Sequence, residues 1–416
     1  MRLLYVFPEP FPLPRARSLQ VTHSLEALAA EGLNIQFVSR LGERPAPSQH
    51  EVFPQLEPRS EFAWKEVSAR WQGLRMAPLS SRFFHANLGK WLDGQTKGQI
   101  KNFDATIVRH LKSVAPLKAM LPHTPLIYEA HEVFALTAPP HRQVAVRELE
   151  RQALALADGL ITNSQATADA LLKEYGYQKP LLVLPNGVHT PAGMSNKFQT
   201  LAAEGSAESA QEIALELVYA GSFFGWKGVA DLWQALQKLP AITARPLRAT
   251  LVGGEAENLQ AMAKQLIAPE TIAQGGVRGK LPNGIQVELL QRQPSVFIQS
   301  LLQRAHIAVL PNRPDIESRF TSPIKLFEYM AAGCAIVASD LPAIHEIANT
   351  DCARFFNAGQ PDDLMQQLQA LCHDLPLCAR LADAAYAASQ QYTWQARAQR
   401  QIQFIQSLAN VNNANA

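Results

Sequence analysis

The chain has 416 residues, of which 47% are hydrophobic and 18% charged, and its formal net charge is +2. This length exceeds what one hydrophobic core usually serves, so two domains are expected, and the near-neutral charge gives no support for a nucleic-acid-binding protein. No apolar run approaches the roughly 20 residues of a membrane-spanning helix, no signal peptide is recognised, and the four cysteines show no zinc-like spacing. We therefore expect a cytoplasmic protein with reduced thiols.

The first half of the chain alternates between short apolar runs and amphipathic stretches, which predicts strands and helices in turn. Predicted strands lie at residues 3–7, 35–38, 103–108, 126–129, 159–162 and 181–184. Predicted helices lie at residues 19–31, 114–121, 145–157 and 165–173. The β-α-β order predicts right-handed crossovers and parallel pairing in an α/β fold.

Polar residues follow two of these strands, at the edge where open α/β sheets bind ligands. Arg15, Arg17 and Ser18 follow the first strand, and two guanidinium groups suit a phosphate or an acidic acceptor. Solvated surface arginines are an equal alternative. His131 and Glu132 follow the strand at 126–129. A lone histidine is more often structural, but this position makes a functional role an equal interpretation.

Aromatic and aliphatic residues are interleaved with basic ones between residues 59 and 93, among them Phe62, Trp64, Trp71 and Lys90. One interpretation is a basic amphipathic surface that contacts a membrane or a lipid-linked acceptor. We prefer helices packed on the sheet with their basic residues outside, because apolar stripes at helical spacing are usually core. Peripheral contact at the inner face of the membrane remains an alternative.

Residues 189–212 are small and polar without periodicity, which indicates an interdomain linker or a long surface loop. The alternation of strands and helices then resumes. Predicted strands lie at residues 215–220, 249–252, 307–310 and 334–339. Predicted helices lie at residues 229–238, 295–304, 364–371 and 394–408.

Two glycine-containing loops follow strands in this second half. One runs from Gly221-Ser222 to Lys227, and the other is Gly253-Gly254. Glycine lets the backbone approach a phosphate closely, and a lysine adds a mobile positive charge for a diphosphate. Such loops occur in many unrelated α/β proteins, so each alone is weak evidence.

Residues 320–333 predict a loop, a short helix and a turn before the last strand. Ser322 is a good N-cap, Pro323 suits the first helical position, and Gly333 can take the left-handed conformation that ends a helix. Free N–H groups and the positive dipole end make the helix start an anion site, with the hydroxyls of Thr321 and Ser322 at its mouth.

Glu328 lies roughly 9 Å further along that helix, where its carboxylate would accept hydrogen bonds from ribose hydroxyls. From spacing alone, an exposed helix residue is the favoured interpretation. Taken together, however, the two glycine loops and the helix start predict one ligand, a diphosphate-bearing nucleotide held by the second domain.

Five segments stand in order along the chain. They are Ser18-Leu19-Gln20-Val21, Tyr128-Glu129-Ala130-His131-Glu132, Leu184-Pro185-Asn186-Gly187-Val188, Tyr219-Ala220-Gly221 with Trp226-Lys227-Gly228, and residues 322–333. In this order they resemble the GT-B glycosyltransferases of family 4, retaining enzymes that use nucleotide-sugar donors. The resemblance covers nearly the whole length and its combined motifs are specific.

The resemblance implies two Rossmann-like domains facing across a cleft, with a C-terminal helix that returns to the first domain. Residues 1–188 would take the acceptor, 189–212 would be a linker, 213–393 would take the donor nucleotide, and 394–416 would form the final helix and tail. It implies a sugar transfer that retains configuration and needs no metal or other cofactor, since the nucleotide-sugar is a substrate.

The resemblance also assigns roles to matched positions. Glu328 would hold the donor ribose, Lys227 would neutralise the leaving diphosphate, and His131 would lie beside the transferred sugar; these are the expected catalytic residues. The expected donor-binding residues are Gly221, Ser222, Lys227, Gly253, Gly254, Thr321, Ser322, Lys325 and Glu328. Sugar or acceptor contacts are expected from Arg15, Arg17, Ser18, Glu132 and Glu317.

The chain departs from the family pattern at three places. The family commonly has another glutamate before the one matched by Glu328, and Phe320 stands at that position. The nearest acid, Glu317, is three residues earlier. Ser222 stands where the family often has arginine, and the first loop has Arg17-Ser18 instead of a glycine pair. These departures leave the contact to the transferred sugar open and shift diphosphate binding onto Lys227.

The sequence therefore predicts a transferase that moves a sugar from a nucleotide-diphosphate sugar to a glycan or lipid-linked acceptor, in polysaccharide or glycoconjugate synthesis. Two alternatives stay open at this point. One is a nucleotide-sugar isomerase on the same fold, for which His131, Glu132 and Glu317 are the candidate acid/base residues. The other is a non-catalytic nucleotide-sugar-binding subunit.

Overall fold

The computed structural model describes residues 1–13, 16–42, 47–70, 80–96, 103–189, 197–203, 214–240, 245–273 and 275–414. The chain forms two compact units, one made of residues 1–186 with 394–416 and the other of residues 187–393. Both units are α/β, as the sequence predicts.

The first unit contains a parallel sheet of seven described strands. They are β1 (Arg2–Pro10), β2 (Asn34–Arg40), β3 (Phe62–Val67), β4 (Ala105–Val108), β5 (Leu126–Ala130), β6 (Gly159–Thr162) and β7 (Leu181–Val183). Their order is β3-β2-β1-β4-β5-β6-β7, with every neighbouring pair parallel. The carboxyl ends of all these strands consequently meet at one edge of the sheet.

Helices connect these strands. They are α1 (Ala16–Ala30), α2 (Gln49–Val52), α3 (Ser80–Thr96), α4 (Leu111–Met120), α5 (Phe134–Thr137), α6 (Gln143–Leu156) and α7 (Gln165–Tyr175). Their ends follow local rules: the Ser164 hydroxyl accepts from the Thr167 N–H to begin α7, and Gly176 ends it at a φ of 62°.

The aromatic and basic segment at 59–93 differs from the helical prediction. Phe62 and Trp64 lie on β3, and only the later part forms a helix, α3, which buries Phe84 and Leu88. The Trp64 ring meets Phe37 and Phe53 edge-on or tilted, so these aromatic side chains pack against β2. Trp71 lies outside the described residues.

The second unit contains a mixed sheet. Its strands are β8 (Leu215–Ala220), β9 (Leu247–Gly254), β10 (Ile267–Ile272), β11 (Gly276–Lys280), β12 (Gln286–Gln291), β13 (Ile307–Leu310), β14 (Ala335–Ser339) and β15 (Ala353–Phe356). Their order is β10-β11-β12-β9-β8-β13-β14-β15. The β10–β11 and β11–β12 pairs are antiparallel and the rest parallel. Alternate residues of β8 face two different cores, Leu217 and Tyr219 on one side, Val218 and Ala220 on the other.

The helices of this unit are α8 (Lys197–Ala203), α9 (Val229–Lys238), α10 (Ala256–Ala263), α11 (Ser295–Arg304), α12 (Ile316–Arg319), α13 (Ile324–Ala331), α14 (Pro342–His345), α15 (Pro361–His373) and α16 (Leu375–Ser389). Helix α8 lies inside the stretch predicted to be a linker or loop. Buried Lys197 anchors it by donating from Nζ to the Ala332 carbonyl at 2.8 Å. The polar composition of this stretch gives no sign of the contact, because Lys197 and Ala332 are 135 positions apart in the sequence. Most of the remaining linker lies outside the described residues.

The last helix, α17 (Trp394–Ala414), follows the second unit in sequence but belongs to the first. Its residues Ala398, Ile405 and Leu408 are part of the core formed with β1, β2 and α1. Gly159 on β6 makes room for it, because a Cβ there would lie 2.7 Å from Leu408 Cδ1. The predicted return of the C-terminal helix to the first domain is confirmed.

None of the helices in the described ranges has the length and apolar character needed to cross a bilayer. The four cysteines are free and buried. Burial raises the pKa of the thiols of Cys334 and Cys372, which keeps both groups protonated and unreactive.

Candidate active site

The second unit brings its two glycine loops together at the carboxyl ends of β8 and β9. The Gly221 N–H donates to the Val252 carbonyl at 2.9 Å. Gly253 has a φ of 114°, and a Cβ on it would lie 2.3 Å from the Gly221 carbonyl oxygen. Only glycine fits at 253, since the position requires both an unusual φ and a close backbone contact. Two hydroxyls then fix the first loop: Tyr219 Oη donates to the Ser222 carbonyl, and Tyr329 Oη accepts from the Ala220 N–H.

The far end of the first loop is held against the loop that follows β13. Gly228 has a φ of 69° and touches the Pro311 carbonyl so closely that a Cβ would lie 1.7 Å from it. The Arg313 guanidinium donates two hydrogen bonds of 2.7 and 2.6 Å to the buried Asp231 carboxylate on α9, and the Arg313 N–H donates to the Trp226 carbonyl. Backbone and side chain together therefore fix the position of residues 226–228.

Lys227 is the cation presented by this loop. Its Nζ lies 3.9 Å from the centre of the Trp226 ring, and no carboxylate in the described ranges pairs with it. Burial, with a smaller contribution from the positive charge of Lys325, lowers the pKa of Lys227 to about 8. The site thus contains a positive charge whose balancing anion is not supplied by a neighbouring side chain.

Helix α13 provides the second cation and a carboxylate. Lys325 Nζ and Glu328 Oε2 form an ion pair of 2.6 Å one turn apart, with both side chains partly exposed. The helix begins one residue later than predicted: Pro323, not Ser322, is the N-cap, and Ser322 is buried in the preceding loop. Gly333 has a φ of 59° after the helix end, as predicted.

The remaining predicted donor contacts are distributed around this helix start. Thr321 is partly buried directly before Ser322, and Phe320 is buried with the Arg319 guanidinium 5.4 Å from its ring centre. Glu317 lies on the short helix α12, and its side chain is outside the described part of the structure. Phe320 is therefore a core residue.

The first unit places His131 directly after β5, beside a buried carboxylate. His131 Nε2 lies 3.3 Å from Glu129 Oε1, although it is not aligned for a hydrogen bond, and 23% of the His131 side chain is exposed. Burial, together with the positive charge of Arg109, lowers the pKa of His131 to about 4. The imidazole is consequently neutral at physiological pH.

Glu132 forms a hydrogen bond within its own segment. Its Oε2 accepts from the Thr137 hydroxyl at 2.8 Å, within the turn of α5. Beneath that turn the buried Glu150 carboxylate accepts from the N–H groups of Phe134 and Ala135 and from the Tyr175 hydroxyl. Glu150 therefore caps α5 and supports the segment that carries His131 and Glu132.

The arginine loop is occupied by internal contacts. Arg17 forms an ion pair of 2.9 Å with Glu9, and buried Ser18 accepts from the Leu13 N–H. Arg109 donates to the Arg17 carbonyl and to Gln20 Oε1. Arg15 lies outside the described residues. Arg17 and Ser18 thus have structural partners, and Arg109 acts electrostatically on His131.

Two family models match the chain. The model described as Glycosyltransferase Family 4 matches residues 19–191, and the model described as Glycosyl transferases group 1 matches residues 214–374. The chain is a GT-B glycosyltransferase. All but the last five residues of its family 4 segment lie in the unit that carries His131, and its group 1 segment lies within the unit that carries Lys227 and Glu328. No curated protein matches the chain.

Solved structures share this fold. Sucrose-phosphate synthase from Thermosynechococcus elongatus has a TM-score of 0.70 at 14% identity, covering 99% of each chain. HepE of Anabaena, in complex with UDP and glucose, has a TM-score of 0.67 at 15% identity, covering 98% of this chain and 100% of its own. WaaG, a glycosyltransferase involved in lipopolysaccharide biosynthesis, has a TM-score of 0.63 at 15% identity, covering 97% of this chain and 99% of its own.

Three residues of the glycosyltransferase were not among the predicted site residues. Glu129 lies 3.3 Å from His131, Arg109 acts on His131 electrostatically, and Arg397 on α17 contacts Glu129. Glu129 had a signal in the sequence, because residues two apart in extended backbone share one face, and His131 follows two residues after Glu129 at the end of β5. Arg397 had none, since its contact spans 268 positions.

Proposed function

We propose that this glycosyltransferase moves a sugar from a nucleoside-diphosphate sugar to a glycan or lipid-linked acceptor, with retention of configuration. The observation that carries the proposal is the arrangement at the carboxyl ends of β8 and β9. There Gly221, which begins the loop that carries Lys227, contacts Gly253, where a side chain has no room, and Lys227 and Lys325 act on one another electrostatically. An unpaired cation on a glycine-containing loop suits a diphosphate.

The Lys325–Glu328 pair gives this site a place for the nucleoside. Glu328 would accept hydrogen bonds from the ribose hydroxyls, and Lys325 would turn from the carboxylate towards the diphosphate when the donor binds. Both groups lie on α13, whose dipole favours anions at its first turn. HepE, which was solved in complex with UDP and glucose and with UDP-glucose, makes UDP-sugars the first donors to test.

The chemistry of retention follows from the groups available. In a transfer on one face of the sugar, the bond between the anomeric carbon and the diphosphate oxygen breaks, the acceptor oxygen bonds to the anomeric carbon on the same face, and the leaving phosphate takes the acceptor's hydroxyl proton. Lys227 stabilises the negative charge that develops on the diphosphate. His131, neutral at physiological pH, would donate a hydrogen bond to a sugar hydroxyl without adding charge.

We propose that no metal takes part, because two lysines and a helix start supply positive charge where the diphosphate would lie. The acceptor, the sugar and a role in polysaccharide or glycoconjugate synthesis are part of the same proposal. So are a cytoplasmic location and peripheral contact with the membrane.

The test is a thermal-shift screen in EDTA against UDP, GDP, ADP and CMP, followed by the sugar conjugates of the nucleotide that binds. A nucleotide at 100 times its dissociation constant stabilises by about 2.7 kcal/mol, which such a screen resolves. Transfer of the sugar is then measured, and the anomeric configuration of the product is determined by NMR. Binding only in the presence of a divalent cation, or an inverted product, would overturn the corresponding part of the proposal.

A further inference from the structure

The carboxylate beside His131 lies in a buried network that extends to the last helix. Glu129 is 1% exposed, and its Oε2 accepts from the Tyr5 hydroxyl on β1 at 2.7 Å. Its Oε1 accepts from Arg397 Nη2 at 2.8 Å and from Gln20 Nε2 at 3.3 Å. His131 Nε2 approaches the same Oε1. One carboxylate therefore contacts groups from β1, α1, α17 and the end of β5.

Arg397 is as deeply buried as its partner. It is 4% exposed, and besides Glu129 it donates to the Ser24 hydroxyl at 2.9 Å and to the Pro185 carbonyl at 3.1 Å. Pro185 directly precedes the point where the chain leaves the first unit, and Arg397 lies three residues after the point where it returns. The guanidinium thus links the carboxylate beside His131 to the two places where the chain leaves and re-enters the first unit.

A buried ion pair is an inefficient way to stabilise a fold, because removing two charges from water cancels much of their attraction. Apolar side chains would fill the same space at less cost. The pair does hold Glu129 ionised: burial alone would raise the pKa of Glu129, but His131, Arg109 and Arg397 keep it well below its usual range. An ionised carboxylate with fixed lone pairs can orient an imidazole, as second partners of functional histidines commonly do.

We infer that Glu129 and Arg397 are positioning residues for His131: the Glu129 carboxylate, with Oε1 3.3 Å from Nε2, favours the tautomer that places the ring proton on that nitrogen, and the Arg397 guanidinium holds the carboxylate in place. The inference rests on the proposed role of His131 in sugar transfer. By this inference, α17 is one of the elements that position His131 in the acceptor unit, although α17 follows the donor-binding unit in sequence.

The direct test observes His131 itself and needs no substrate. Histidine labelled with ¹³C and ¹⁵N is incorporated into the full chain, and the His131 signal is assigned by its loss in His131→Gln. In the wild type we expect the proton on Nε2, which faces the carboxylate, and a neutral ring throughout the physiological range. Glu129→Gln should redistribute the proton towards Nδ1.

The pH titration of the His131 signal tests the contribution of Arg397 separately from that of Glu129. The charged groups that act on His131 in the described structure are Glu129 on β5, Arg109 after β4 and Arg397 on α17. Arg397→Gln removes a positive charge, so the titration midpoint of His131 should rise from about 4 by about one pH unit. Arg397→Lys, which keeps the charge, should bring the midpoint back towards the wild-type value.

The control is Arg147→Gln, which breaks the Arg147–Glu174 ion pair in the same unit and should leave the His131 signal unchanged. If a single variant fails to fold, the double variant Glu129→Gln with Arg397→Gln is measured in its place, because it removes both buried charges together. An unchanged tautomer in Glu129→Gln and an unchanged midpoint in Arg397→Gln would overturn the inference.

Turnover distinguishes this inference from the proposal on which it rests. With the donor identified by the nucleotide screen, Glu129→Gln and Arg397→Gln should lower kcat at least tenfold and leave the KM for the donor unchanged, since the donor residues lie in the other unit. Full turnover in His131→Ala would refute the role of His131 itself. Loss of turnover in His131→Ala with full turnover in Glu129→Gln and Arg397→Gln would refute the positioning role alone.

Discussion

Lys227 is half-buried against the Trp226 ring, and this location makes its charge depend on pH. Because the pKa of Lys227 is lowered to about 8, the amine is protonated at neutral pH and loses its proton as the pH rises through that value. A neutral amine no longer attracts a diphosphate. The donor site should therefore weaken on the alkaline side of the physiological range.

We predict that the dissociation constant of UDP rises between pH 7.5 and 9.5, by up to about tenfold per unit above the pKa of Lys227, the limit for loss of one proton. Lys227→Arg should abolish this slope, since a guanidinium stays charged throughout. Calorimetric titration of both proteins with UDP at a series of pH values measures this dependence. The ionisation of UDP is common to both, so the same slope in wild type and Lys227→Arg would show that Lys227 is not the titrating group.

Glu328 pairs with Lys325 in this structure, and the same carboxylate is proposed to bind the ribose. Hydrogen bonds to a charged group are worth about 1.5–3 kcal/mol, so Glu328→Ala should weaken UDP binding by about tenfold to a hundredfold. The control is Glu257→Ala, an exposed carboxylate on α10 of the same unit. Wild-type affinity in Glu328→Ala would remove Glu328 from the donor site.

Residue types at strand and helix ends carried much of the site prediction, but not its partners. Lys227, Glu328 and His131 were chosen because of where they follow predicted elements, and these elements are present. The ion pair of Glu328 with Lys325 was not predicted, although the two residues are one helical turn apart, whereas Arg397, the partner of the carboxylate beside His131, depends on packing. Arg17 and Ser18 show the converse, since both satisfy internal contacts that local sequence could not indicate.

At the scale of elements, the contact between Gly228 and Pro311 joins the start of α9 to the loop after β13. We predict that Gly228→Ala destabilises the protein by about 3 kcal/mol, through about 1–2 kcal/mol for a left-handed alanine and a comparable cost of overpacking. It should also weaken UDP binding by displacing Lys227. Urea unfolding followed by tryptophan fluorescence measures the first effect.

Gly284→Ala is the matched control in the same unit. Gly284 also has a positive φ, 90°, but an added Cβ would have no atom within 4 Å. At position 284 the only destabilisation should come from placing alanine in a left-handed conformation, and the affinity for UDP should be unchanged. Equal destabilisation by the two substitutions would mean that the Pro311 contact adds nothing.

Elements covered by strong local patterns were predicted to the residue, among them β8 and α9, where an apolar run and a helical stripe stand next to each other. The antiparallel strands β10 and β11 were not predicted. β10 is almost entirely exposed and contains Pro269, so neither burial pattern nor composition marks it as a strand. It exists because its backbone pairs with β11 at the sheet edge.

For the whole molecule, the presence of a separate core in each unit has a measurable consequence. Native-state hydrogen exchange should show UDP at 100 times its dissociation constant raising the opening free energy of core amides in β8, β9 and β13 by about 2.7 kcal/mol. Amides in β1 and β4 should change much less. An equal increase in both sets would show that the two units open as one cooperative block.

The assignment of α17 to the first unit also bears on how the protein is made. A ribosome releases residues 1–186 early, yet the core of that unit lacks Ile405 and Leu408 until residues 394–416 emerge. The second unit, contiguous in sequence, can complete its fold before the first does, which reverses the usual order of synthesis. During elongation the nascent chain therefore exposes the apolar surface that α17 will cover, and this interval is where a chaperone would be needed.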